Sequence, residues 1–213
     1  MKSKLLQRLV NKTLTKQQLL EKVKQNYELI PEILGGISSS KPAIRYSCAK
    51  VIMDLSEEEP EKLYAHMDFF IKMLESKYRI LTWNAIITIA NLTKVDSEKK
   101  FDLIFDKYYN YLDNEYMVTV ANVVGNSDKI ALAKPYLTER ITDKLLMVEN
   151  ISITPHLSEE CKRVITQLTI KTFDMFFPQI KQKNRVFSFV KKHLDSPRKT
   201  LRIESEKFLA KWA

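Results

Sequence analysis

The sequence predicts an all-α protein, an α-α superhelix of about five helix pairs preceded by a capping helical element. Three observations carry this expectation. An apolar pattern at offsets 0, 4, 8 and 11 recurs as Ile44/Cys48/Ile52/Leu55, Leu81/Ala85/Ile89/Leu92, Leu157/Cys161/Ile165/Leu168 and Leu201/Ser205/Leu209/Trp212, with a weaker copy at Met117/Ala121/Gly125. Those offsets share one helix face, and the copies begin 36 to 44 residues apart, the period of stacked helix pairs. The repeat also covers the partner helix. Tyr64, Met67, Phe70, Ile71 and Leu74, moved back by 37 positions, become Tyr27, Ile30, Ile33, Leu34 and Ile37. Finally, three glycines in 213 residues are too few for the tight turns and phosphate loops of sandwiches and dinucleotide-binding folds.

Taken in order, Leu5, Leu6, Leu9 and Val10 place an apolar stripe on a first helix over roughly residues 3–12. Thr15 with Gln18 three residues later forms a capping-box signature for a second helix. Together residues 1–26 form a cap over the first repeat, and residues 27–213 form about five repeats within one domain, 1–213. The first pair joins a helix around 27–37 to one around 43–55. A Ser-Ser-Ser-Lys-Pro turn separates them, with serine as the expected cap and Pro42 in the first turn. Ser56 with Glu59 is read as another capping box, which puts Glu57, Glu58 and Glu59 in a first turn where the macrodipole favours them. Repeat three (about 97–133) has an aromatic first helix and a second helix weakened by Gly125 and Asn126. Repeat four is irregular. A helix around 135–148 leads into Glu149–Glu160, where Pro155 argues for an extended loop before Ser158 starts a long helix. Repeat five turns at Asp195-Ser196-Pro197.

Hydrophobic residues make up 45% of the chain, which suits a packed protein rather than a disordered one. No stretch is apolar for the length a bilayer requires, and the basic opening lacks a signal-peptide core, so a cytoplasmic protein without membrane contact is expected. The two cysteines, Cys48 and Cys161, lie on the repeated apolar face as small hydrophobes. The net charge of +9 is uneven. Residues 1–30 hold 7 basic and 2 acidic groups (+5), 31–150 hold 15 and 18 (−3), and 151–213 hold 13 and 6 (+7). Basic ends suit either a solvated helical surface or attraction to a polyanion.

Two further features give the chain a resemblance to HEAT and armadillo-type repeat proteins. The second helices of repeats one and five open with an apolar residue followed by arginine and then small residues, as in Ala43-Ile44-Arg45 with Cys48-Ala49, and Leu201-Arg202 with Ser205. A proline interrupts the first-helix stretch Leu29-Ile30-Pro31-Glu32-Ile33-Leu34. Repeats two and three depart at the arginine position, with Thr82 and Val118. The resemblance implies a fold and is silent on activity.

No metal, cofactor or catalytic constellation is legible. The chain has no GxGxxG, P-loop, GxSxG, CxxC or HExxH, and His66, His156 and His193 lack a second ligand at metal spacing. His156, in the irregular loop, is the only histidine of interest. The better candidate is a surface. Positions two, six and ten past the first apolar residue of each second helix form a row expected to line the concave side. From it we take Tyr46, Lys50, Trp83, Asn91, Arg163, Lys207 and Lys211 as candidate partner-binding residues. Aromatic and basic side chains together anchor protein partners or hold phosphates and stacked bases. The leading expectation is therefore a non-catalytic scaffold for a protein or peptide. The alternative is a nucleic-acid-binding protein, whose enzymatic extreme resembles HEAT-like DNA glycosylases, although their tryptophan and aspartate cluster is not visible. Trp212, near the end of the sequence, raises end-to-end self-association as a third reading.

Overall fold

Helix starts and stops follow local chemistry throughout this computed structural model, which describes residues 4–213. The Gln18 backbone N–H donates to Thr15 Oγ1 at 3.1 Å, and the Thr15 N–H donates back to Gln18 Oε1 at 3.0 Å. This is the capping box expected from the sequence. The described residues are all-α, with no strand and one isolated bridge, Thr154–Leu157. The helix pairs stack in the α-α solenoid arrangement. They divide into two compact units, residues 1–100 and 101–213.

In the first unit α1 (Lys4–Val10) and α2 (Lys16–Gln25) form the cap, and the expected start at residue 3 lies outside the described residues. Leu6, Leu9, Leu19, Leu20 and Val23 are buried. A 3-10 turn, Tyr27–Leu29, leads into α3 (Ile30–Ile37), which pairs with α4 (Pro42–Glu58). α5 (Met67–Met73) pairs with α6 (Arg79–Leu92). The second helices α4 and α6 pack on each other, while α2 and α3 cover α4 and α5 covers α6. Both copies of the apolar pattern here, Ile44/Cys48/Ile52/Leu55 and Leu81/Ala85/Ile89/Leu92, are buried at every position.

Two expectations about this unit are corrected. Ser56 caps nothing, because the apolar stripe carries α4 through to Glu58. Its hydroxyl instead donates to the Met53 carbonyl at 2.6 Å. The glutamate run consequently sits at the helix's C-terminal end, where the dipole disfavours it. Partners from the cap and the turn after it hold it there: Lys24 of α2 donates to Glu58 at 2.8 Å, and the Tyr27 hydroxyl donates to Glu59. Nor does a serine side chain cap α4. Lys41 is the N-cap residue and Pro42 occupies the first turn as expected.

The serine turn does a different job, and the same one recurs in every repeat. Ser39, Ser76, Asn114, Thr154 and Ser196 each accept, through the side-chain oxygen, the N–H of the residue two further on. Such a bond closes a turn without help from a neighbour. Position six after three of these residues then reaches back to their carbonyls. Arg45 donates to Ser39 at 2.9 Å, Thr82 to Ser76 at 3.4 Å and Arg202 to Ser196 at 2.6 Å. This explains the arginine of the repeat pattern and shows Thr82 substituting for it with a shorter arm.

The second unit begins at Phe101 within α7 (Lys100–Tyr109), whose Phe101, Phe105, Tyr108 and Tyr109 form a buried aromatic cluster with neighbouring ring centroids 4.7–6.1 Å apart. The second helix of repeat three is broken at Gly125–Asn126, as its weak sequence suggests, into α8 (Met117–Val124) and α9 (Ser127–Ala133). Its buried stripe is Thr119, Val120, Val123 and Val124, while Met117, Ala121 and Gly125 are only half-buried. α10 (Thr138–Leu146) then precedes the loop, and α11 (Glu159–Phe176) starts at Ser158, whose Oγ accepts the Cys161 N–H at 3.2 Å. Leu157 is buried but precedes this helix. The fourth apolar copy is therefore shifted: α11 buries Ile165, Thr169, Phe173 and Phe176, and Cys161 and Leu168 lie half-buried. α12 (Lys183–Lys191) and α13 (Lys199–Trp212) complete the unit, and α11 packs on both α8 and α13.

One glycine is required by close approach. A Cβ on Gly36 would lie 2.5 Å from Cys48 Sγ and 2.9 Å from Leu6 Cδ1, so α3 approaches α4 only without a side chain there. Gly36→Ala is expected to lower unfolding stability by about 1–3 kcal/mol through overpacking, measured by urea denaturation. Adding Cys48→Ala should recover much of that loss. A double variant no more stable than Gly36→Ala would show that the contact with Cys48 is not the cause.

Candidate binding surface

The candidate residues divide between the two units. In the first, Tyr46 and Trp83 are half-buried on the outward rows of α4 and α6, flanked by exposed Ile80 and half-buried Ile87. The Tyr46 ring meets the Tyr78 ring edge-on at 6.4 Å. Lys50 is exposed and pairs with Asp54 on its own helix. Asn91 leaves the row. It is 1% exposed, and its Nδ2 donates to Ser56 Oγ at 2.9 Å, an internal polar link between α6 and α4. The helical position that should face outward is instead covered because the two second helices pack directly on each other.

In the second unit Arg163 donates to Glu160 at 3.2 Å, and Arg198 approaches the same carboxylate. These two guanidinium groups hold the Glu160 carboxyl below its ordinary range, with Arg198 the larger influence. Lys211 donates to Asp174 at 2.8 Å and lies 4.7 Å from the Trp212 ring centroid. Lys207 is exposed and makes no ion pair with a described residue. Three of the four cations chosen from the row are thus already paired with carboxylates. A phosphate backbone would have to displace those partners, which the sequence alone did not reveal.

Trp212 is folded back rather than presented. It is half-buried, its Nε1 donates to Asp174 at 2.6 Å, and its ring lies 5.1 Å from that of Phe177. His156 is exposed and stacks on Tyr116, with ring centroids 4.5 Å apart and planes inclined by 21°. Burial holds His193 below its ordinary pKa. Burial likewise pushes the Cys48 thiol up to about 12, which leaves it an unreactive hydrophobe. No group of three or more His, Cys, Asp or Glu that could hold a metal occurs among the described residues.

Sequence reasoning missed a depression of about 570 Å³ in the first unit. Its walls come from two turns, 38–40 and 76–78, together with α5 and the starts of α4 and α6. Arg45 forms part of it at only 5% exposure. The serine run and the arginine were visible in the sequence, but as local turn and repeat signals. Nothing in a single segment shows that two turns from successive repeats enclose one space.

No helix of the described residues is long and apolar enough to cross a membrane. The sequence matches no protein-family model and no curated protein. Solved structures are similar in fold. A designed armadillo repeat protein is similar over 92% of this chain and 86% of its own length, with a TM-score of 0.54 and 16% identity. Another, solved in complex with the peptide (KR)4, is similar over 98% of this chain and 91% of its own length, with a TM-score of 0.60 and 14% identity. The fold is that of a HEAT/armadillo-type helical repeat protein.

Proposed function

We propose that the chain is a non-catalytic scaffold of the cytoplasm, a single helical-repeat domain that holds a protein or peptide partner on the outward rows of its second helices. The observation that carries this reading is the apolar and aromatic row of the first unit. There Tyr46, Ile80, Trp83 and Ile87 remain half-buried or exposed, although the apolar residues at offsets 0, 4, 8 and 11 of the same two helices are buried. Tyrosine and tryptophan supply large contact area at low entropic cost and dominate binding energy at interfaces. The fold agrees, since a designed armadillo protein of similar structure is solved with a bound peptide. Pairing of Lys50, Arg163 and Lys211 with carboxylates favours this reading over nucleic-acid binding.

Peptide display on the purified chain provides the test. Trp83→Ala is expected to weaken selected peptides by about tenfold or more, the loss of a central aromatic anchor. Recovery of no peptide would overturn the reading, and tight, salt-dependent binding of duplex DNA beside it would favour a nucleic-acid ligand.

A further inference from the structure

Arg45 is a buried cation without an anion. It is 5% exposed, yet no carboxylate among the described residues pairs with it. Its Nη1 donates to the carbonyls of Ser39 and Ser40 at 2.9 and 3.4 Å, and its Nε has no hydrogen-bond partner. The Tyr78 and Tyr46 rings cover its guanidinium carbon at 3.9 and 4.7 Å. Ring faces and carbonyls offset part of the charge. They carry no net negative charge, and a buried ion is ordinarily paired.

The depression beside Arg45 continues the same imbalance. Lys72 and Lys77 line it, both exposed and neither in an ion pair with a described residue. No carboxylate lines it, and Glu75, between the two lysines in sequence, is exposed outside it. The starts of α4 and α6 add the positive ends of two long helices, with no acidic residue in either first turn and no side-chain cap. Residues 31–150, which contain all of this, carry 15 basic and 18 acidic groups, a net −3. The positive pocket is therefore a local arrangement rather than a reflection of overall charge. The same depression has an apolar part of its wall, to which Phe69, Met73 and Leu81 contribute.

We infer that this depression receives an anionic side chain of the partner peptide, with an apolar side chain beside it. The inference rests on the peptide-binding reading and adds the sign of the partner. Lys72 and Lys77 meet the anion at the rim, and Arg45 supplies fixed positive charge from the wall. The apolar neighbour packs against Phe69, Met73 and Leu81. The expected partner segment is thus acidic, opposite in charge to the (KR)4 peptide held by the designed armadillo protein.

The test uses the full chain and labelled peptides of one length, all containing leucine: one rich in glutamate, one with phosphoserine in place of glutamate, one rich in lysine and one uncharged. The acidic peptides are expected to bind, more weakly as salt rises. Lys72→Glu combined with Lys77→Glu should weaken them by about tenfold or more, while Lys191→Glu, at an exposed lysine of α12 outside the outward rows, leaves them unchanged. Both lysines are exposed, so the paired variant should keep its fold, checked by circular dichroism. Tighter binding of the phosphoserine peptide assigns a phosphate to the pocket, and tighter binding of the glutamate peptide assigns a carboxylate. Equal or better binding of the lysine or uncharged peptide, or acidic binding that the double charge reversal leaves intact, overturns the inference while peptide binding itself stands. If peptide display recovers nothing, the functional reading falls and this inference falls with it.

Discussion

Phe105→Ala is expected to lower the unfolding stability of the protein by about 3–5 kcal/mol, the range for removing a large buried aromatic side chain. Phe105 is 1% exposed. Its ring centroid lies 4.7 Å from that of Tyr109 and 6.1 Å from that of Phe101, and the Arg140 guanidinium carbon sits 4.0 Å from it. Truncation removes the transfer free energy of the ring, leaves a cavity among rigid aromatic neighbours that cannot collapse easily, and strips Arg140 of its stacking partner. Leu103, on the same helix, is 86% exposed, and Leu103→Ala should change stability by less than about 0.5 kcal/mol. Urea denaturation followed by circular dichroism reads both. Equal effects for the two variants would mean that the aromatic cluster does not hold this unit together.

Lys134→Met is expected to destabilise by about 3 kcal/mol, the lower end of the range for breaking a buried ion pair by removing one partner. Lys134 is 3% exposed, with Nζ 3.2 Å from Asp102 Oδ1 and 3.1 Å from the Tyr136 hydroxyl. The Asp102 side chain is 26% exposed, so water can take over part of its solvation, which places the effect at the lower end. Converting the partner as well, in Lys134→Met/Asp102→Leu, should recover a substantial share. The penalty comes from the stranded charge more than from the lost attraction. The Tyr136 hydroxyl also donates to Asp102, at 2.9 Å, but Tyr136 is 57% exposed and can turn to water. A double variant less stable than Lys134→Met would contradict this account.

The helix pairs were legible because burial repeats with a fixed period. The copies beginning at Ile44 and Leu81 are buried at every position. Where the periodicity misled, a specific competing interaction explains it. Ser56-x-x-Glu59 has the spacing of a cap, but the stripe that ends at Leu55 holds Ser56 inside α4 and leaves Glu59 as the residue that ends it. The copy at Leu157 slips because Ser158 and the Thr154 turn delay the start of α11, so the apolar pattern begins before its helix does. The site was less legible. A helical wheel places Asn91 outward, and only the packing of α6 against α4 reverses that. The neutralising partners of Arg163 and Lys211 differ in kind. Glu160 lies three residues from Arg163 and could have been anticipated, whereas Asp174 is 37 residues from Lys211 and could not. The pocket beside Arg45 depends on two turns from successive repeats, a relation that no single window of sequence contains.

The turn closed by Ser39 and its counterparts at 76, 114, 154 and 196 bears on how such a chain can lengthen. Each closure uses only atoms within three residues, so a copied segment brings its own finished joint wherever it is inserted. Selection need then adjust only the faces between adjacent copies. Gene duplication can extend the array without inventing a new bend each time. The joints drift in identity, from serine to asparagine to threonine, yet all retain a short oxygen-bearing side chain. For an engineer, they mark the places to cut and splice.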